Sequence, residues 1–354
     1  MGHRIRLSLV GEFRLSAGGV GRYSIELGKQ LEKRADVCYI GRKETLNKAK
    51  LKLFGLKLNN CDLVHATFPS VAKINTCRPL IVTYHDSMFI TRYAKTTVLQ
   101  PKNYIHKILE RSSARYNFAN ADAIISVSSI AQKEMLALMK SFKINMEDKT
   151  YEVINNGLSD IFIKAKPGAR RKDFIYIGTV HLPHKNFGML LEVFSKIADS
   201  DPNAKLHIFT PTKREIAEKI IEDKMIGNEE AKARVIIHQN EPDEKLVEQL
   251  RHSVALLHLS KEEGFGITIL EAMAVGTPVL TLKDALIPEE VRKFAFKGSI
   301  DEIESQALRL LANPQSTSKN AINYAKSFTW GNAAEKALNL YKKILKKHNV
   351  KCKM

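Results

Sequence analysis

The chain has 354 residues, is 44% hydrophobic and 27% charged, and carries a net charge of +18. That length holds two domains of ordinary size, and the composition excludes a disordered or fibrous chain. No apolar run reaches the roughly 18 residues of a membrane span, and Cys38, Cys61, Cys77 and Cys352 show no C-x-x-C spacing, which argues against a zinc site or redox pair and suits a reducing cytoplasm.

In chain order, the opening MGHRIRLSLVGEF lacks the long apolar core of a signal peptide and reads as a first strand over 4–10. Further strands are expected at 36–41, 61–67, 79–85, 123–128 and 151–155, with helices at 20–34, 102–119 and 129–140. KAKPGARRKD (164–173) reads as a polar linker, after which strands are expected at 173–178, 205–210, 234–239, 254–260 and 277–282. Between them Phe187, Leu190, Leu191, Phe194 and Ile197 recur at the spacing of one buried helix face, ending at the turn cluster DSDPN. Alternating apolar strands and helices in two blocks predict an α/β chain of two doubly wound parallel-sheet domains. Ligands of such sheets bind beyond the carboxyl ends of the strands, so loops after strands are where site residues belong.

Four loops carry chemistry. SAGGVGRY opens a helix with Gly18 and Gly19, where backbone amides can approach a phosphate. The rival dinucleotide fingerprint fails, because Ser24 takes the place of its third glycine. TYHDS places His85 just past an apolar strand. IGTVHLPHKNF offers His181, His184 and Lys185 ahead of a helix, with no carboxylate or cysteine nearby to complete a metal site. In KEEGFGITILEAMAVGTPVL, Glu263 precedes Gly264, Phe265, Gly266 and Ile267, and Glu271 follows inside the helix. Glycines let a ligand press against backbone amides, and a carboxylate accepts two hydrogen bonds from a vicinal diol. An exposed helical glutamate is the plainer reading of Glu271. The pattern D-x-D at 199–201 falls between helix and strand, at the wrong end of the sheet, and reads as a turn.

GGVGRY, YHDS, VSSIAQKEM, VINNGLSDIF, YIGTVHLPHKN, EEGFGITILEAMAVGTPVL and FTWGNAAEKALNLYKKIL stand in an order and spacing that resembles the retaining family-4 glycosyltransferases of the GT-B fold. The resemblance covers nearly the whole chain and is nearest to mannosyl- and glucosyltransferases. It implies two Rossmann-like domains facing a central cleft: an acceptor-binding domain (1–166), a nucleotide-sugar-binding domain (167–330) and a helix with a basic tail (331–354) that crosses back to the first domain. It implies transfer of mannose or glucose, with retention, from a donor of the GDP-mannose or UDP-glucose type to a glycan acceptor, lipid-linked or a surface polysaccharide or glycoprotein precursor. No metal or other cofactor is implied. Gly18 and Gly19 would face the donor diphosphate and His85 the transferred sugar. Lys185 would contact the diphosphate, Glu263 and the Gly264–Ile267 amides the hexose, and Glu271 the ribose. One departure is His184, which stands where the phosphate loop commonly carries Arg.

Residues 1–166 hold 27 Lys/Arg against 14 Asp/Glu, and the tail YKKILKKHNVKCKM adds six lysines. One concentration is KAKLKLFGLKL (48–58); the other has Arg92, Lys95, Lys102, Lys107, Arg111 and Arg115 against Glu110, interleaved with Phe89, Tyr93, Tyr104 and Tyr116. This pattern leads to the expectation of a cytoplasmic enzyme held peripherally at an anionic membrane surface. No nucleic-acid-binding module is recognisable, so that partner is not expected. A nucleotide-sugar epimerase of the same fold, an inactive homologue and a non-catalytic basic binding protein are the alternatives.

Overall fold

A computed structural model of the protein describes residues 4–13, 18–41, 55–86, 101–169 and 171–351. It divides into two compact units, Met1–Gly157 together with Thr329–Met354, and Leu158–Phe328.

The first unit runs through β1 (Arg6–Gly11), α1 (Gly18–Leu31), β2 (Asp36–Gly41), β3 (Leu56–Lys57), β4 (Leu63–Ala66), β5 (Ile74–Asn75), β6 (Leu80–Tyr84), α2 (Pro101–Asn120), β7 (Ala123–Ser126), α3 (Ser129–Ser141) and β8 (Thr150–Val153). Six of these strands form one sheet in the order β2-β1-β4-β6-β7-β8, all pairs parallel. Strands β4, β6 and β7 are buried along their whole length, whereas the edge strand β2 is not. That is why the first three read as mostly apolar runs. Helix α3 starts where Ser128 accepts a hydrogen bond from the Ala131 amide (3.0 Å), an N-cap written in the sequence.

The second unit holds α4 (Asp160–Lys164), β9 (Asp173–Ile177), α5 (Phe187–Ser200), β10 (Lys205–Thr210), α6 (Arg214–Lys224), α7 (Glu229–Lys232), β11 (Val235–Gln239), α8 (Asp243–His252), β12 (Ala255–His258), α9 (Ile267–Ala274), β13 (Val279–Leu282), α10 (Glu289–Arg292), β14 (Phe296–Gly298), α11 (Ile300–Ala312) and α12 (Lys319–Lys326). Its sheet order is β11-β10-β9-β12-β13-β14, again all parallel. The five apolar residues of α5 are all buried, each contributing about 1.5–3 kcal/mol of transfer free energy. The chain then returns to the first unit as α13 (Trp330–Lys351), which packs on α1.

The division falls after Gly157, ahead of the polar stretch expected to be the linker. A short helix accounts for this: α4 buries Phe162 and packs on α8. The linker's carbonyls are captured too. Ala165 O accepts from Lys326 Nζ (2.7 Å) and Lys166 O from Arg251 Nε (2.6 Å), so the stretch is fastened to the second unit. At the two crossings Leu158 N–H donates to Phe328 O (2.8 Å). A Cβ on Gly157 would meet the Trp330 nitrogen at 2.0 Å, so only glycine fits there.

Both sheets change direction beside their first strand. In each, one neighbour of that strand follows it directly in the sheet and the other arrives by a crossover: β1 lies between β2 and β4, and β9 between β10 and β12. The crevices beyond the carboxyl ends at β1/β4 and β9/β12 are therefore where this architecture receives ligands.

Candidate active site

In the second unit, the loops after β9 and β12 meet. The first tightens into a 3-10 turn, Pro183–Lys185, and Asn186 takes the left-handed conformation (φ 54°) from which α5 starts. The second is stitched to it by the backbone, Lys261 N–H donating to His184 O (2.8 Å), and is also held to the loop after β13, Glu263 N–H donating to Leu286 O (3.0 Å). This brings Lys185 Nζ to 2.8 and 3.0 Å from the two carboxylate oxygens of Glu263. His258 Nε2, at the end of β12, lies 3.2 Å from Glu263 Oε1, and its Nδ1 lies 3.4 Å from Thr268 Oγ1. His258 thus spans both ends of the glycine loop.

Glu263 is nearly buried, with 10% of its side chain exposed. Burial alone would raise its pKa, but Lys185 and His258 outweigh that and hold the carboxyl well below the usual carboxylate range. The Glu263 charge, after burial, also helps raise the Tyr176 phenol.

Gly266 has φ +87° as the N-cap of α9, a conformation L side chains rarely adopt, although space for a Cβ exists. The loop is specified by its backbone. Gly264, Phe265 and Gly266 are buried, and Ile267, partly buried, opens the helix with its amide at the N-terminus. Glu271 is 3% exposed within a helix whose residues 269–274 are all buried. It is therefore not the exposed helical glutamate of the plainer reading. A carboxylate is kept inside only where polar groups or ligands meet it.

His184 is half-buried and serves the loop through its carbonyl. His181 is exposed and lies 3.3 Å from Thr212 Oγ1. The acidic turn is held structurally. Asp199 accepts from Asn228, and Asp201 ends α5 and pairs with Lys172 (2.6 Å). Among the described residues no group of three or more His, Cys, Asp and Glu side chains is placed to hold a metal ion.

In the first unit, Gly18 (φ +67°) and Gly19 open α1, and a Cβ on either would meet nothing within 4 Å among the described residues. One turn later the Tyr23 ring meets His85 edge to face, 4.7 Å between centroids. His85 Nε2 lies 2.8 Å from Thr67 O. A carbonyl only accepts, so Nε2 carries the proton and the neutral ring keeps Nδ1 as its acceptor. Burial, offset only in part by that bond, brings the His85 pKa down to about 4.

Sequence reasoning missed His258, Tyr23 and His65. The rule that found His85, a polar residue ending an apolar strand, also fits His258. His65 is a lone imidazole inside the apolar strand β4, fully buried.

Residues 159–328 match the sequence model of the family described as Glycosyl transferases group 1. The chain is 24% identical over 240 residues to an MMP alpha-(1->4)-mannosyltransferase of Mycolicibacterium hassiacum, covering 63% of this chain and 54% of that one. It is 23% identical over 305 residues to a D-inositol 3-phosphate glycosyltransferase of Corynebacterium glutamicum, covering 77% and 68%. The chain thus spans about half the length of the first relative and about two thirds of the second. A sucrose-phosphate synthase from Thermosynechococcus elongatus superposes with a TM-score of 0.70 at 15% identity, over 97% of this chain and all of the other. That likeness is one of fold, and the fold is GT-B.

Proposed function

From a chain whose second unit belongs to the group 1 glycosyl transferases, we propose an enzyme that moves a hexose, mannose or glucose, from a nucleoside diphosphate sugar to a glycan acceptor with retention of anomeric configuration. The observation that carries this reading is the Lys185–Glu263–His258 cluster at the β9/β12 crevice, with Glu271 buried on the adjoining helix.

Hydrogen-bond capacity defines the roles. Lys185 has three N–H donors and places two on Glu263, which leaves one for a phosphate oxygen. A carboxylate offers about four lone-pair sites. Lys185 takes one on each Glu263 oxygen and His258 Nε2 lies 3.2 Å from Oε1, so Oε2 keeps one for a hexose hydroxyl. The Gly264–Ile267 backbone adds contacts to the hexose, and Glu271 takes the ribose diol. Gly18, Gly19 and His184 face the diphosphate. With a pKa near 4, His85 is uncharged at neutral pH and accepts a sugar hydroxyl through Nδ1. It is not a phosphate-binding cation.

In the transfer, the acceptor oxygen bonds to the anomeric carbon as the bond from that carbon to the diphosphate oxygen breaks. The bonding pair leaves on the diphosphate, on the face the acceptor approaches, and the hydroxyl proton passes to the departing phosphate. Lys185 stabilises the charge that develops there. We further propose that the first unit rests on an anionic membrane and takes a lipid-linked acceptor. Exposed Lys57, Arg115, Lys342, Lys343, Lys346 and Lys347 support this; 48–54 and 87–100 lie outside the described residues. Each basic residue near such a surface adds about 1 kcal/mol.

The test is a panel of nucleotide sugars screened by thermal shift and then by turnover with glycan acceptors. The expected result is acceptor-dependent release of the nucleoside diphosphate from a hexose donor. Sugar epimerised without acceptor, or no donor bound, contradicts the reading.

A further inference from the structure

Four buried polar side chains lie end to end in the first unit. Tyr341 Oη lies 2.7 Å from His65 Nδ1, His65 Nε2 lies 2.7 Å from Thr83 Oγ1, and Thr83 Oγ1 lies 2.9 Å from Tyr23 Oη. None of the four is more than 2% exposed. The Tyr23 ring then meets His85, as described. We propose that Tyr341, His65, Thr83 and Tyr23 form a positioning chain through which the C-terminal helix fixes the ring of His85. The inference rests on the reading of His85 as a sugar-contacting residue.

The chain is expensive unless it is complete. A buried hydroxyl or imidazole without a partner costs about 1–3 kcal/mol, and apolar side chains of similar shape would carry no such penalty. A fully bonded polar chain, by contrast, admits one arrangement of its rings. Burial lowers the His65 pKa to about 3, so the imidazole is neutral and brings one N–H. Three hydroxyls and that N–H supply four protons for three hydrogen bonds. The chain therefore runs uncharged in either direction, with His65 protonated on Nδ1 toward Tyr341 or on Nε2 toward Thr83.

The geometry joins the far end of the sequence to the candidate site twice. Trp330 and Tyr341 are eleven residues apart on α13, about three turns, and so share a face. Trp330 packs edge-on against Tyr23 (5.7 Å), while Tyr341 closes on His65. Strand register completes the frame. His65 and Thr83 lie on the neighbouring strands β4 and β6, each two residues ahead of a residue at the site, Thr67 and His85. Tyr23 fixes one face of the His85 ring and Thr67 O fixes its Nε2. Tyr341 is thus a positioning residue that acts through His65, Thr83 and Tyr23.

The experiment uses the full chain labelled with 15N-histidine, the His85 signals being assigned with His85→Gln. Tyr341→Phe keeps the ring and removes the hydroxyl. It is expected to shift the ring-nitrogen signals of both His65 and His85, leave nucleoside diphosphate affinity unchanged and lower kcat about tenfold, the effect of one lost hydrogen bond. Signals of His65 alone responding, with His85 unmoved, would overturn the proposal. Should Tyr341→Phe not fold, Thr83→Ser, which keeps the hydroxyl, is compared with Thr83→Val. Native His85 signals in the first and displaced ones in the second support the chain, and identical signals in both refute it. If the wild-type protein transfers no sugar, the functional reading fails, while the nitrogen spectra still decide whether the chain positions His85.

Discussion

The two units place different chemistry at equivalent crevices. In the second, the central groups are an ionic pair, an ammonium and a carboxylate held ionised, with a histidine 3.2 Å from the carboxylate. In the first they are neutral. His85 and His65 are kept uncharged by burial, and their neighbours are hydroxyls, phenols and a backbone carbonyl. An ionic cluster suits the charge that shifts on a departing diphosphate, which fixed charges in a sheltered site stabilise. Neutral acceptors suit sugar hydroxyls, which need direction and no charge. On the proposed function, one fold would serve both tasks, because loops set the chemistry.

Acid separates the two most strongly. In the folded chain the pKa values of His65, about 3, and His85, about 4, lie below that of an unfolded histidine, about 6.5. Below pH 6.5 the unfolded state therefore binds more protons, so stability is full above that pH and falls as pH drops toward 4 and then 3. The loss should reach several kcal/mol, because each tenfold difference in proton affinity between the folded and unfolded chain is worth about 1.4 kcal/mol. In the second unit His207, brought down to about 4 chiefly by burial, adds a loss of its own, and Glu263 gives up its contribution only once carboxylates protonate. Unfolding followed by the fluorescence of Trp330 should thus show the first unit weakening between pH 6.5 and 4.5. A flat stability profile over that range would refute the burial of neutral His65 and His85.

Catalysis should divide next. Lys185→Ala and His85→Ala should each fold and lose about a hundredfold or more in transfer rate, the scale of removing one charge-stabilising donor or one orienting acceptor. Near-normal turnover in either variant removes the role assigned to it. A smaller effect belongs to Glu271→Ala, expected to weaken nucleotide binding about tenfold, since hydrogen bonds to a charged group contribute about 1.5–3 kcal/mol. Unchanged calorimetric affinity would take Glu271 out of the ribose site. Smallest is the surface term: sedimentation with anionic vesicles should fall with salt, and equal recovery with neutral vesicles, or none with either at low salt, would count against an enzyme held at an anionic membrane.

Much of this was legible because it is periodic or punctuated. The strands at 36–41 and 205–210 and the helix face from Phe187 to Ile197 follow from pattern alone, and their structural bounds agree or nearly so. Lys185 and Glu263 could be singled out as candidates because each follows a strand. Their mutual contact was not, because 78 residues separate them and only the pairing of β9 with β12 brings them together. The linker misled for a local reason, since α4 is five residues long and buries one aromatic side chain. Helix α11 had a readable start in Ser299 and Glu302, which form a reciprocal cap. His65 carried no local signal. Its meaning depends on Tyr341, 276 residues away.

Nucleoside diphosphate binding tests the contrast between the units most directly. UDP and GDP are titrated calorimetrically into the wild-type protein, Lys185→Ala and His85→Ala. The account predicts that the nucleotide that binds the wild type loses at least about tenfold in affinity with Lys185→Ala, the cost of one charged hydrogen bond, and keeps its affinity with His85→Ala although transfer is lost. Equal weakening in both variants, or none with Lys185→Ala, would contradict it.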